Sequence, residues 1–135
     1  MKTIVVVEDQ PVMASIYRTK LSGEGFRVEV AVDGQSGLDL INRTAPDLAL
    51  VDLMLPRLNG VELLKKVRAN PAFQNLPIII FSMASQPHLV QEAWNAGATL
   101  VLSKANTSPK MIVEAIRRAL AAVPDSATTP VAAGV

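Results

Sequence analysis
The chain has 135 residues, 50% of them hydrophobic and 19% charged, enough apolar material for one core and too much for wholesale disorder. Thirteen Lys and Arg against twelve Asp and Glu leave a formal charge of +1, without the clustered basic excess of a nucleic-acid or membrane-surface binder. There is no cysteine, which excludes a disulfide framework, a thiolate metal site and a cysteine nucleophile. The longest unbroken apolar run, Ala119 to Val123, is far short of the roughly 18 residues of a membrane span. Met1-Lys2-Thr3 leads into only four apolar residues before Glu8 and Asp9, which is no secretory signal. The expectation is a soluble, cytoplasmic single domain.

Five short apolar runs alternate with segments of helical spacing. Ile4–Val7 is followed by a helix from Pro11 to about Ser22, with Pro11 in its first turn and Met13, Ile16, Tyr17 and Leu21 on the inner side. Asp9 is available to cap it. Val28–Val32 precedes a helix from Gly34 to Arg43, with Leu38 and Ile41 inward. Leu48–Val51 precedes a helix capped by Asn59 and carrying Val61, Leu64 and Val67. Ile78–Phe81 precedes a helix from Pro87 to about Ala96 that stops at Gly97. Leu100–Leu102 precedes a helix capped by Ser108, opened by Pro109, and repeating Ile112, Ile116 and Leu120. Near-continuous β-branched runs are the mark of strands buried on both faces. Strict alternation with helices predicts an α/β fold: a flavodoxin-like (βα)5 doubly wound parallel sheet in the order 2-1-3-4-5. Pro124 to Val135, rich in Pro, Ala and Thr, reads as a flexible tail or truncated linker after a domain spanning 1–123.

In such a sheet, ligands bind at the carboxyl ends of the strands where the strand order reverses, here between strands 1 and 3. Strand 1 runs into Glu8-Asp9 and strand 3 into Asp52, so three carboxylates converge there. Their mutual repulsion calls for a cation or bound protons. Oxygen ligands without His or Cys favour Mg²⁺. Strand 4 delivers Ser82 and strand 5 delivers Lys104 to the same rim. Taken singly, each has an ordinary structural explanation: helix cap, loop acid, surface hydroxyl, surface lysine. Their convergence from four strand ends is what carries the functional reading.

With Val5-Val6-Val7-Glu8-Asp9-Gln10, Asp47-Leu48-Ala49-Leu50-Val51-Asp52-Leu53-Met54-Leu55-Pro56 with Asn59-Gly60, Ile80-Phe81-Ser82, Ala96-Gly97-Ala98 and Lys104, the chain resembles the receiver domain of two-component response regulators, in particular the stand-alone chemotaxis type. The resemblance covers about residues 2 to 123. It implies that Asp52 accepts a phosphoryl group and that Asp9, Glu8, Asp52 and the backbone carbonyl of Met54 serve Mg²⁺. It also implies that Ser82 and Lys104 bind the phosphoryl group. The implied partners are a histidine kinase or histidine phosphotransfer protein and a downstream protein target. The chain would then be a phosphoprotein switch in a phosphorelay, not a turnover enzyme.

Three positions depart from the family pattern. Val101 stands where an aromatic usually swings inward. Ala105 follows the lysine where a proline with a cis bond is usual, and a trans bond is expected here. Met83 replaces a small residue beside the switch hydroxyl, where it either fills space or shades the site. Val90 and Trp94 form an i, i+4 stripe on a helix belonging to a common output face, where Trp94 is either exposed or packed on the fifth helix.

The first alternative is a degenerate receiver acting as a phosphorylation-independent adaptor. Less favoured are a flavodoxin-like nucleotide binder, which wants a Gly-, Ser- or Thr-rich loop after strand 1, and a haloacid-dehalogenase-type phosphatase, which wants an aspartate where Met54 stands. Both a complete single-domain regulator and a receiver cut from a longer protein fit the sequence.

Overall fold
A computed structural model describes residues 1–83 and 87–123; the tail assignment for 124–135 lies outside them. The chain alternates strand and helix throughout: β1 (Thr3–Val7), α1 (Pro11–Gly23), β2 (Arg27–Ala31), α2 (Gly34–Thr44), β3 (Leu48–Asp52), α3 (Gly60–Arg68), a single 3₁₀ turn (Pro71–Phe73), β4 (Ile78–Ser82), α4 (Pro87–Asn95), β5 (Leu100–Ser103) and α5 (Pro109–Ala122). All neighbouring strands are parallel, in the order β2-β1-β3-β4-β5. No helix among the described residues is long and apolar enough to cross a membrane.

The three central strands explain why their sequences do not alternate. Residues 4–7, 48–52 and 78–82 are buried throughout, because helices cover both faces of the sheet. Val5, Val7, Ala49, Val51, Ile78 and Ile80 face a core shared with Ile41, Leu64 and Val67. Ile4, Val6, Leu48, Leu50, Ile79 and Phe81 face Tyr17, Leu21, Ile112 and Ile116. Burying a side chain of this size contributes about 1.5–3 kcal/mol, so the sheet register is fixed from both sides.

Helix ends follow the expected chemistry where a cap is local. Asn59 and Glu62 form a reciprocal capping box at α3, and Ser108 caps Met111 at α5. Gly97 ends the turn after α4 with φ +105, a conformation that favours glycine. The details that differ concern which residue of a stripe packs. Ile16 is exposed, and Ala14 is buried in its place. In α2, Leu40 packs fully where Leu38 is only half-buried. The N-cap of α1 is Gln10, without a side-chain bond, so Asp9 does not cap the helix. The second strand ends at Ala31, leaving Val32 exposed.

Candidate functional site
Four of the five strands run into a polar residue at one end of the sheet. Glu8 follows β1, Asp52 ends β3, Ser82 ends β4, and Lys104 follows Ser103 of β5. Val7 lies opposite Val51, which sets Glu8 beside Asp52. The parallel register therefore converts sequence positions 44 apart into adjacent carboxylates. Glu8, Asp52 and Ser82 are only 2%, 6% and 5% exposed, whereas Asp9 faces solvent.

Lys104 compensates the buried acids. Its side chain crosses β4, and its Nζ donates to Glu8 Oε1 and Asp52 Oδ2, each at 2.8 Å. The remaining carboxylate oxygens take backbone N–H groups: Gln10 N donates to Glu8 Oε2 at 3.2 Å, and Met54 N to Asp52 Oδ1 at 3.2 Å. Burial works to lower the Lys104 pKa, but the bonds to Asp52 and Glu8 outweigh it and hold the ammonium above its usual value. Burial, aided by Asp52, raises Glu8 above the usual carboxylate value against the opposing bond from Lys104. One cation thus serves two buried anions, an arrangement with several kcal/mol at stake if either side is removed.

The backbone around Asp52 is held by a close approach. Gly60 N donates to Leu53 O at 2.9 Å. A Cβ at Gly60 would lie 2.6 Å from Asp52 O and 2.8 Å from Leu53 Cα. Only glycine lets α3 begin this near the acid strand.

The donor set has the chemistry of a hard cation site. Glu8, Asp9 and Asp52 each offer a carboxylate oxygen, and these atoms lie within 4.8 Å of one another. Three carboxylates face a single ammonium, so net negative charge remains for a divalent ion to offset, and all-oxygen ligation suits Mg²⁺. The residues present fit that ion.

Met83 is 62% exposed and leaves the core entirely; Met54 is also exposed. Val101 is half-buried and packs on the aliphatic core of the α2–α3–α4 side. Ala105 is exposed, and no cis peptide occurs among the described residues. On α4, Ala93 is fully buried, Val90 packs partly against the core, and Trp94 is 43% exposed. Two features carried no local signal. Tyr17 stacks on Phe81 beneath the cluster, and Ser103, opposite Ser82 in register, has a buried hydroxyl without a hydrogen-bond partner among the described residues. Only the strand register brings the second to notice.

The profile of the response regulator receiver domain matches residues 4–117. The chain belongs to that family. Among curated relatives it is 33% identical over 117 residues to the DNA-binding response regulator MtrA of Mycolicibacterium smegmatis, covering 87% of this chain and 50% of that protein. It is 28% identical over 115 residues to a gliding motility regulatory protein of Myxococcus xanthus, covering 85% of this chain and 15% of that one. The chain therefore spans half or less of the length of these relatives. The solved chemotaxis response regulator CheY4 of Vibrio cholerae superposes with a TM-score of 0.82 at 26% identity, covering 88% of this chain and 98% of that structure. A receiver domain of a two-component response regulator, a signalling switch, is the setting in which the acidic cluster acts.

Proposed function
We propose that this receiver accepts a phosphoryl group on Asp52 from a phosphohistidine donor, a histidine kinase or histidine phosphotransfer protein, and changes its binding to a downstream protein. The observation that carries the reading is the Lys104 bridge: a buried ammonium bonded at 2.8 Å to both Glu8 and Asp52. In the transfer, an Asp52 carboxylate oxygen forms a bond to phosphorus while the phosphorus–nitrogen bond to the donor imidazole breaks, and the electron pair stays with the imidazole. Charge in this loose transition state spreads over the equatorial oxygens, so positioned cations and donors do most of the work. Lys104 supplies a cation from the β5 side, and the Ser82 hydroxyl supplies a donor from β4. Glu8, Asp9, Asp52 and the Met54 carbonyl would hold Mg²⁺, which when bound supplies positive charge to the phosphoryl oxygens.

The product is an acyl phosphate on the chain itself, suited to a reversible signal rather than to turnover of an external substrate. Residues 1–123 form the receiver, with 124–135 as tail or linker, and a cytoplasmic site of action follows from a kinase-linked role. Val90 and Trp94 on α4 are proposed as part of the output face. Acetyl phosphate with Mg²⁺ should add one acid-labile phosphoryl group to the wild type and none to Asp52→Asn, read by intact mass. Amide shifts at residues 8–10 and 52–54 should move with Mg²⁺ alone, with the modest affinity of an ion that keeps several waters. A wild type that stays unlabelled overturns the proposal and returns the chain to a phosphorylation-independent adaptor.

A further inference from the structure
Beneath the buried polar groups lies an aromatic contact that the proposed transfer does not use. Tyr17 of α1, 4% exposed, stacks on Phe81 of β4, 2% exposed, with ring centroids 5.5 Å apart and planes 8° from parallel. Both rings lie in the core on the α1–α5 side of the sheet. Tyr17 is the only tyrosine in the chain. Its phenol is near enough to Lys104, Glu8 and Asp52 to feel their charges, although burial is the main cause of its raised pKa.

Phe81 is tied to the site through the main chain. It lies opposite Asp52 in β3 and Leu102 in β5. Its carbonyl accepts from Leu53 N at 2.8 Å, and the next carbonyl, that of Ser82, accepts from Lys104 N at 2.9 Å. Phe81 and Ser82 together set the spacing between the strand that carries Asp52 and the residue that supplies the ammonium. Tyr17 rides on a helix that starts at Pro11, directly after Glu8-Asp9-Gln10. The stack thus braces the segment carrying two of the acids against the segment carrying the hydroxyl. The opposite side of the sheet offers no such ring at Val101, a half-buried aliphatic residue.

We infer that Tyr17 is a positioning residue of the phosphoryl site, acting through Phe81 on Ser82 and Lys104, and that loading of the site is felt at its ring. The inference rests on Asp52 being the acceptor. Negative charge added at Asp52 redistributes the Lys104 contacts, and the phenol lies within reach of that change in field. The bracing comes from the ring face, so Tyr17→Phe keeps it and Tyr17→Leu loses it.

The test uses the full chain with 3-fluorotyrosine incorporated at its single tyrosine, saturated with Mg²⁺ and then titrated with beryllofluoride while the further amide shifts at residues 52–54 are recorded. The fluorine resonance should move in step with those amides in the wild type and stay fixed in Asp52→Asn. Phosphorylation by acetyl phosphate should slow about fivefold in Tyr17→Leu and stay within about twofold in Tyr17→Phe, as small displacements of positioned groups cost rate. A fluorine resonance that stays fixed while the amides move overturns the inference and leaves the role of Asp52 intact. An unchanged rate in Tyr17→Leu, or an equal loss in Tyr17→Phe, also overturns it. Amides that fail to move remove both readings.

Discussion

The two ends of the parallel sheet satisfy their charges in different ways. At the amino end, Asp47 and Arg68 bond to the backbone, and the ion pairs Lys20–Glu24 and Arg117–Glu24 lie exposed at the surface. Asp47 Oδ2 accepts from Thr3 N at 2.7 Å, with the exposed Lys2 ammonium standing off at 3.9 Å. Arg68 donates to Phe73 O at 2.6 Å and, through Nε and Nη2, to Gly97 O at 3.1 and 2.8 Å. These bonds fasten α3, the 3₁₀ turn and the end of α4 to one another, and fixed dipoles do not change state. At the carboxyl end, Glu8, Asp52 and Lys104 depend on one another, with two backbone N–H groups in support. Any ligand that brings or removes charge there must redistribute all three. Side chains that satisfy each other form a site that can switch; side chains that satisfy the backbone form a joint.

Removing the shared cation should break the comparison hardest. Lys104→Met leaves two buried carboxylates facing each other and should cost about 3 kcal/mol of unfolding free energy at neutral pH. The loss should depend on pH with a definite sign. The Glu8 pKa is already above its ordinary value, so the folded chain binds that proton more tightly than the unfolded chain does. Stability contributed by Glu8 therefore improves as pH falls through its folded-state value. Without Lys104 that improvement should be larger, and the gap to wild type should narrow toward acid. Urea unfolding at neutral and mildly acidic pH measures it; a gap that widens toward acid contradicts the shared-cation account.

Arg68→Ala tests the other end. It strips charge-assisted bonds from the carbonyls of Phe73 and Gly97 and should cost about 2 kcal/mol. Phosphorylation of Asp52 by acetyl phosphate should keep its wild-type rate. A variant that loses that rate while remaining folded would show that the two ends are not separable in the way the bonding implies.

The sequence made the carboxyl end more legible than the amino end, for a physical reason. Strand ends are marked locally, by Asp52 after Leu48–Val51 or Ser82 after Ile78–Phe81, and parallel topology alone carries them to one rim. Caps at Asn59 and Ser108 are local as well, spanning three residues. Nothing local marks Arg68 as more than a basic residue in the last turn of a helix, because its acceptor Gly97 is 29 residues away. The Tyr17–Phe81 stack joins residues still farther apart, and nothing in either neighbourhood announces it. The choice of Ala14 over Ile16 in α1 is likewise set by the space against the sheet, which a stripe of apolar residues does not specify.

Access to the site offers a smaller effect. Met83 follows Ser82 directly and is 62% exposed, so its flexible thioether stands in solvent at the lip of the carboxyl end rather than filling the core. Obstruction of in-line approach acts on entry and on hydrolysis alike. Met83→Ala should speed both phosphorylation by acetyl phosphate and loss of the phosphoryl group, by about tenfold or less, equivalent to about 1.4 kcal/mol of barrier. The Mg²⁺ affinity should hardly change. Rates that stay put or move in opposite directions would dismiss the obstruction.

The finest test lies within the carboxyl end itself, where Asp33 is an acid bonded as at the amino end. It follows β2, caps α2, and accepts Ser36 N at 2.7 Å. That backbone bond is the main reason its pKa lies below the ordinary aspartate value, with Arg57 adding to the lowering. Its shift is opposite to that of Glu8: a backbone N–H favours the anion at Asp33, whereas burial, aided by Asp52, disfavours it at Glu8. The sign of its linkage is therefore opposite too. Stability from Asp33 is present above the unfolded carboxylate value and is lost as pH falls through the lower, folded value. Asparagine caps a helix about as well as aspartate, so Asp33→Asn should leave stability at neutral pH almost unchanged. What it should remove is part of the fall in stability on acidification, since an amide does not titrate. Unfolding free energies of the two proteins should therefore separate as the pH drops below about 4, the range expected for a depressed carboxylate, with Asp33→Asn the more stable. An Asp33→Asn protein that loses stability into acid as steeply as the wild type would mean that this carboxylate does not distinguish folded from unfolded chain.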